Sequence, residues 1–398
     1  MTAFLISESE YRSRIEHVRK ALARRKLAAL YLTNTASMFY LTGYSFIATE
    51  RPLALVIPLD GKIAFMGPLL ERSNIPLKTG IIEDVRTYLD YPGEKHPIDH
   101  FAEFLRDMGL AKKRIGIDNK AGSSAMWGYQ GPPIVKKLSE AKFKDAKDLV
   151  PSMRLIKSPS EMALMRESAR WANLALTLLH EGIAEGSWDV EVALAASLKA
   201  SSIMKKTLGP DYEPLRSSTP VSAGFRGQIG EMSAIPHALA TKRMIRRGDV
   251  IGAGATADIG GYYCELERTL IFGEPTAKQK RYFEAMVKAQ EAAFNALKPG
   301  ARCSDVDRAT CDVFKNAGLS HLVLHHTGHG LGLEEHEPPF LDVGSRQPLR
   351  AGMVVSCEPG IYEFGYAGFR HSDTVLITED GPETLTYYPR DLETLTII

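Results

Sequence analysis

The stretch KSPSEMALMRESARWANLAL divides this chain into two differently patterned parts. Ser158 can cap a helix through its side-chain oxygen, Pro159 suits a first helical position that needs no N–H, and Glu161 completes a capping box. Met162, Met165, Ala169, Ala172 and Leu176 then give that helix one apolar stripe. Before it, helical and strand patterns alternate. Tyr11, Ile15, Val18 and Leu22 recur at helical spacing, LAALYLTN reads as a buried strand, RPLALVIPLDGKIAFMG as a hairpin turning at Asp60-Gly61, and RIGIDN as another short strand. These patterns predict an α/β domain over residues 1–155. After the boundary, the helical stretches KQKRYFEAMVKAQEAAFNAL and SDVDRATCDVFKNAG lie among the glycine-bounded strands DVIGAGA, GGYYCELERTLIF, GMVVSCEPGIY and FRHSDTVLIT. Helices beside strands of antiparallel character predict an α+β domain over 156–398. With 398 residues, 44% of them apolar, the chain can bury two cores.

Charge narrows the choice of partner. Forty-nine basic residues against 48 acidic ones give a net charge of +1, so no overall field favours nucleic acid or an anionic membrane. The run Lys242, Arg243, Arg246, Arg247 reads as a solvated face. The start, MTAFLISESEYRSRIEHVRK, lacks the basic and apolar regions of a secretion signal, and no apolar run nears the roughly 20 residues of a membrane span. A cytoplasmic location is the expectation. Cys264, Cys303, Cys311 and Cys357 form no C-x-x-C pair and are expected as buried thiols, not as a disulfide frame or zinc knuckle.

Chemistry concentrates in three places. GYYCELERTL sets Glu265 and Glu267 two positions apart, on one face if the segment is a strand. Side-by-side carboxylates repel unless protons or a cation intervene, and the cation could be a metal ion or the positive end of a substrate. HHTGHGLGLEEHEPP carries His325, His326, His329 and His336 among glycines that permit close backbone approach. His329 and His336 are candidates for catalysis or ligation, with His325 and His326 read as packing or surface residues. Glu358 follows a buried-looking strand in VVSCEPGIY, where a carboxylate is costly unless paired.

Five motifs, SAIPHALATKRMIRRGDV, GGYYCELERTLIFGEP, HTGHGLGLEEHEPP, GMVVSCEPGIY and GFRHSDTVLIT, occur in the order and at the separations of the pita-bread hydrolases. That family includes prolidase (Xaa-Pro dipeptidase), aminopeptidase P, methionine aminopeptidase and creatinase. The second domain resembles their catalytic domain, and the first resembles the creatinase/prolidase N-terminal domain. The resemblance implies a hydrolase of C–N bonds. The family's peptidases hold two metal ions with Asp, Asp, His, Glu and Glu, and these positions fall on Gly254, Glu265, His329, Glu358 and Ser372. A glycine supplies no donor and a serine hydroxyl poorly replaces a bridging carboxylate. The expectation is therefore no dinuclear centre: either no cofactor, or a single divalent ion on Glu265, His329 and Glu358, with Glu267 or His371 joining.

Creatinase, which works without metal, resembles the chain at other points. Its guanidinium-gripping glutamates fall on Glu267 and Glu358, its catalytic histidine on His237, and its Arg-Pro pair, which crosses from a neighbouring subunit, on Arg51-Pro52. The resemblance thus implies a homodimer and a small zwitterionic substrate, amide or amidine. His237 would move the proton, assisted by Glu267, Glu358 and His329, while Arg51, Glu265, His336 and His371 bind substrate. Two alternatives stand beside it: a one-ion Xaa-Pro dipeptidase, favoured by GHGLGLEEHEPP, and a non-catalytic binding module.

Overall fold

The structure is a computed structural model and describes residues 4–123, 129–215, 217–238 and 242–398. It resolves into two compact units, Ile6–Arg154 and Leu155–Ile398, with Phe4 and Leu5 belonging to the second. Among the described residues, no helix is long and apolar enough to cross a membrane.

Six strands form the sheet of the first unit: β1 (Ala29–Leu32), β2 (Ala54–Pro58), β3 (Ala64–Pro68), β4 (Asp84–Tyr88), β5 (Arg114–Ile117) and β6 (Lys142–Asp145), in the order β4-β3-β2-β1-β5-β6. The hairpin expected at Asp60-Gly61 joins β2 to β3, with Gly61 at φ 112°, a conformation open to glycine but not to most side chains. β1 is buried at every position because it lies inside the sheet, antiparallel to β2 and parallel to β5. Helix α1 (Pro97–Asp107) buries Ile98, Phe101, Ala102 and Leu105 in the same core as Tyr31, Val56, Met66 and Ile117. Each such large side chain contributes about 1.5–3 kcal/mol.

In the second unit, helix α2 (Pro159–Glu181) starts with the capping box read from the sequence. Ser158 accepts from the Glu161 N–H, and the Glu161 carboxylate accepts from the Ser158 N–H. Met165, Ala169, Ala172 and Leu176 are buried along its stripe. Helices α3 (Asp189–Leu208), α4 (Ala277–Ala296) and α5 (Cys303–Asn316) follow. The large sheet runs through β11 (Glu337–Leu341), β10 (Gly328–Gly330), β12 (Val354–Cys357), β15 (Ser372–Thr378), β9 (Leu266–Phe272), β8 (Val250–Ala257) and β7 (Val221–Gly224), with all six of these pairings antiparallel. A separate hairpin pairs β13 (Gly360–Glu363) with β14 (Ala367–Arg370). FRHSDTVLIT is therefore two strands, since β14 ends at Arg370 and β15 begins at Ser372.

Register prepares the site. Glu267 on β9 stands opposite Gly254 on β8 and opposite Ser372 on β15. The two positions whose residues depart from the ligand pattern thus flank one glutamate.

Candidate active site

His329 is positioned by close packing of main chain. A Cβ at Gly328 would lie 2.1 Å from the Ser356 carbonyl oxygen, and one at Gly330 would lie 2.3 Å from that of Pro338. Only glycine on both sides lets β10 sit so near its neighbours. The Ser356 hydroxyl accepts from the His329 N–H at 3.0 Å and donates to Glu358 Oε1 at 3.4 Å. Thr327 offers its carbonyl to the Glu358 N–H and is itself held by Asp307. His329 Nδ1 lies 3.1 Å from the Gly330 carbonyl, so it carries the proton and donates. In the neutral ring Nε2 then bears the lone pair. That atom stands 3.0 Å from Glu358 Oε1 and 3.7 Å from Glu265 Oε2, in no aligned hydrogen bond with any described residue.

Glu265, His329 and Glu358 each present one donor atom within 4.8 Å of the others. Their charges are strongly coupled. Burial, with repulsion from Glu358 and Glu267, raises the Glu265 carboxyl. Burial opposes an imidazolium at His329, but the contact with Glu358 and the charge of Glu265 outweigh it and raise His329. Burial likewise opposes ionisation of Glu358, yet His329 and Arg370 hold it below the usual carboxylate range. The cluster thus favours a positive charge among its members.

Glu265 opens onto a cleft of about 240 Å³, lined also by Gly224, Arg226, Gly254, Glu267 and His336. His336 lies over His329, ring centroids 3.8 Å apart and planes 18° from parallel. Burial and the charge of His329 lower its pKa, so it is mainly neutral near pH 7.

Glu267 is already neutralised. Its carboxylate takes Arg370 Nε at 2.5 Å and Arg226 Nη2 at 2.8 Å. The organic cation expected between the paired glutamates finds its place on the Glu267 side taken by the chain's own guanidinium groups. Neither arginine carries a local signal in the sequence: Arg370 adjoins His371 in GFRHSDTVLIT, and Arg226 is marked only by the glycines at 224 and 227.

The remaining candidates fall elsewhere. His237 is exposed in a turn and lines no described cleft. His371 is fully buried edge-on to Phe283, its pKa far below 6.5 through burial and the charges of Arg268 and Arg390, and it too lines no described cleft. Arg51 is engaged by Asp90 at 2.8 Å and Glu50 at 3.0 Å. His325 packs against Tyr362, accepting at Nε2 from its hydroxyl at 2.8 Å. Cys264, Cys303 and Cys357 are buried free thiols, whereas Cys311 is exposed.

Residues 163–379 match the model of metallopeptidase family M24, and residues 14–156 match the creatinase/prolidase N-terminal domain. The chain belongs to metallopeptidase family M24. It is 28% identical to the Xaa-Pro dipeptidase of Pyrococcus horikoshii over 95% of this chain and 98% of that one. It is 31% identical to the Xaa-Pro dipeptidase of Pyrococcus furiosus over 75% and 81% respectively. The solved dipeptidase PepE from Mycobacterium ulcerans superposes with a TM-score of 0.82 at 26% identity, covering 99% of both chains. The pita-bread fold is thereby established, and with the family comes the enzyme class, a hydrolase of C–N bonds. Against the family's two-ion pattern, the second ion finds no donor at Gly254. At Ser372 it finds a hydroxyl that donates to Glu265 Oε1 at 2.5 Å. A Cβ at Gly254 would meet Glu267 Cγ at 3.2 Å and Oε1 at 3.4 Å. Gly254→Asp should therefore cost about 1–3 kcal/mol through overpacking against a pinned side chain, with like-charge repulsion added. Thermal denaturation beside elemental analysis checks this, the expected result being a lower melting temperature and no gain in bound metal.

Proposed function

We propose that the protein hydrolyses the C–N bond of a dipeptide-sized substrate in the Glu265 cleft, with one divalent ion held by Glu265, His329 and Glu358 in place of the family's pair. The observation that carries this reading is the convergence of two carboxylate oxygens and the His329 Nε2 within 4.8 Å of one another, behind a small cleft. Two carboxylates and an imidazole suit a single divalent ion. When bound, such an ion polarises a carbonyl and acidifies water. The protein's own residues supply the rest. Gly330 and Ser356 fix the His329 ring and Glu358, Ser372 orients Glu265, and the neutral His336 at the cleft is placed to carry a proton from attacking water to the departing nitrogen.

Xaa-Pro dipeptides are the first substrates to test, because the relatives named above carry that activity in their names. A guanidino-acid substrate would need Glu267 free to grip it, and two arginines hold that carboxylate. Dipeptide hydrolysis should be lost on chelation and return with one equivalent of divalent metal. Full turnover in chelator would refute the reading. His336→Ala should lower kcat by roughly 10²-fold while leaving metal content unchanged; an unaltered kcat would remove His336 from proton transfer.

A further inference from the structure

Two aromatic rings stand beside His329 outside the Glu265 cleft, and the reaction proposed above uses neither. Their placement follows from the pairing of β10 with β11. Gly330 stands opposite Glu337 but His329 opposite Phe340, so one step along β10 spans three along β11. Pro338 and Pro339 take up the difference, in an irregularity of the kind that re-aims a side chain next to an active site. Burial alternates along β11, with Glu337, Pro339 and Leu341 turned inward and Pro338 and Phe340 outward. Directly opposed residues of an antiparallel pair share a face. The Phe340 ring therefore stands on the face from which His329 reaches Glu265 and Glu358.

A single exposed aromatic residue would mean little. Phe340, 40% exposed, is not single. Its ring meets that of His326 with centroids 6.0 Å apart and planes 77° from parallel, and His326 in turn meets His329 at 6.4 Å and 90°. Two rings near perpendicular make an open corner, in which a third ring can stack on one wall and turn its edge to the other. Neither wall carries a carboxylate, ammonium or guanidinium group. The corner suits an apolar ring better than a charged side chain.

The two sides of His329 differ. His336 lies flat on it with centroids 3.8 Å apart and lines the cleft, whereas neither His326 nor Phe340 lines it. With His336 handing a proton to the departing nitrogen, the leaving residue occupies the cleft. The residue that supplies the scissile carbonyl then lies across the donor set, on the side of the corner. A residue spans about 3.5 Å. Its side chain thus starts within reach of the His326 ring, 6.4 Å from that of His329.

We propose that His326 and Phe340 form a specificity subsite for the side chain of the substrate's N-terminal residue, and that this subsite selects aromatic side chains. It rests on the reading that C–N hydrolysis takes place at Glu265, His329 and Glu358.

The test compares metal-loaded full-length protein with Phe340→Ala and Phe340→Leu. Proline release from phenylalanyl-proline and alanyl-proline gives kcat and KM. Calorimetry gives the binding of phenylalaninol and alaninol, which carry the same two side chains without a scissile bond. Wild type should favour the phenylalanine-derived member of each pair by roughly 10- to 30-fold, the range of one partly buried ring contact. Phe340→Ala should bring both ratios below about 3, chiefly by raising KM for phenylalanyl-proline rather than by lowering kcat. Phe340→Leu, which keeps apolar area and loses the ring, should fall between. A merely structural role would weaken both members of a pair alike, and ratios left unchanged in Phe340→Ala overturn the proposal. Should the alanine variant fail to fold, the leucine variant decides, and an undiminished ratio there overturns it. A wild type that shows the preference in neither measurement also overturns it. Proline release without the preference removes the subsite and leaves the peptidase reading. A preference in alcohol binding that the variants lose, with no proline released from either dipeptide, keeps the subsite and removes the peptidase reading.

Discussion

His329→Ala is expected to lower kcat/KM at least about 10³-fold and to abolish tight metal binding, while the fold survives. Loss of an outer contact to a metal ligand costs roughly 10–100-fold, and loss of the ligand itself should exceed that. His329 supplies the single nitrogen of the donor set, and its removal leaves two carboxylates facing each other across the space of a ring. The fold should tolerate this because the strand is held by main chain at Gly328 and Gly330, which the substitution leaves in place. Circular dichroism, metal content and dipeptide turnover on one sample check all three parts. A variant that keeps metal and rate would show that the reaction centre lies elsewhere.

The largest effect on stability is expected at a buried ion pair behind the site. Arg268 and Asp373 are both fully buried, with Nη2 to Oδ1 at 2.8 Å. Arg268 also donates to the carbonyls of Glu267, Ser372, Tyr388 and Pro389, and Asp373 accepts from Thr386 and Gln290. Removing one partner strands a charge without water, at about 3–5 kcal/mol. Asp373→Ala should therefore lower the melting temperature of the C-terminal unit by roughly 6–20 °C, given about 2–4 °C per kcal/mol for a unit of this size. Since Arg268 holds the carbonyls of Glu267 and Ser372, activity should fall along with stability. A shift under about 2 °C would mean that the pair is not buried as described.

What the sequence made readable was local or carried by resemblance. The start of α2 could be read directly because a capping box is written in four consecutive residues. The β2–β3 hairpin could be read from its aspartate-glycine turn. The meeting of Glu265, His329 and Glu358, spread over 94 positions, came from five ordered motifs rather than from periodicity. Cross-strand pairing was not readable. Glu267 meets arginines from two distant segments, one 41 positions before it and one 103 after it, and no spacing rule links them. The paired glutamates also sit less regularly than alternation suggested, since β9 begins at Leu266 and leaves Glu265 just outside it. That one step lets Glu265 turn to Ser372 and His329 while Glu267 turns to Arg226 and Arg370. Two carboxylates that looked like one cradle thus serve two neighbouring charge clusters. His371 followed the strand logic in a different way: the break between β14 and β15 buries its ring against Phe283.

Substitution at two family positions has consequences beyond a missing ligand. Glycine at 254 leaves room for Glu267, and serine at 372 directs Glu265 through its hydroxyl. On the one-ion reading proposed above, an arginine-bound carboxylate stands where the family's second ion would sit. Elemental analysis of protein purified without chelator measures this directly. One divalent ion per chain, absent from His329→Ala, is the expected result; two ions per chain, or full dipeptide turnover by protein holding none, would contradict it.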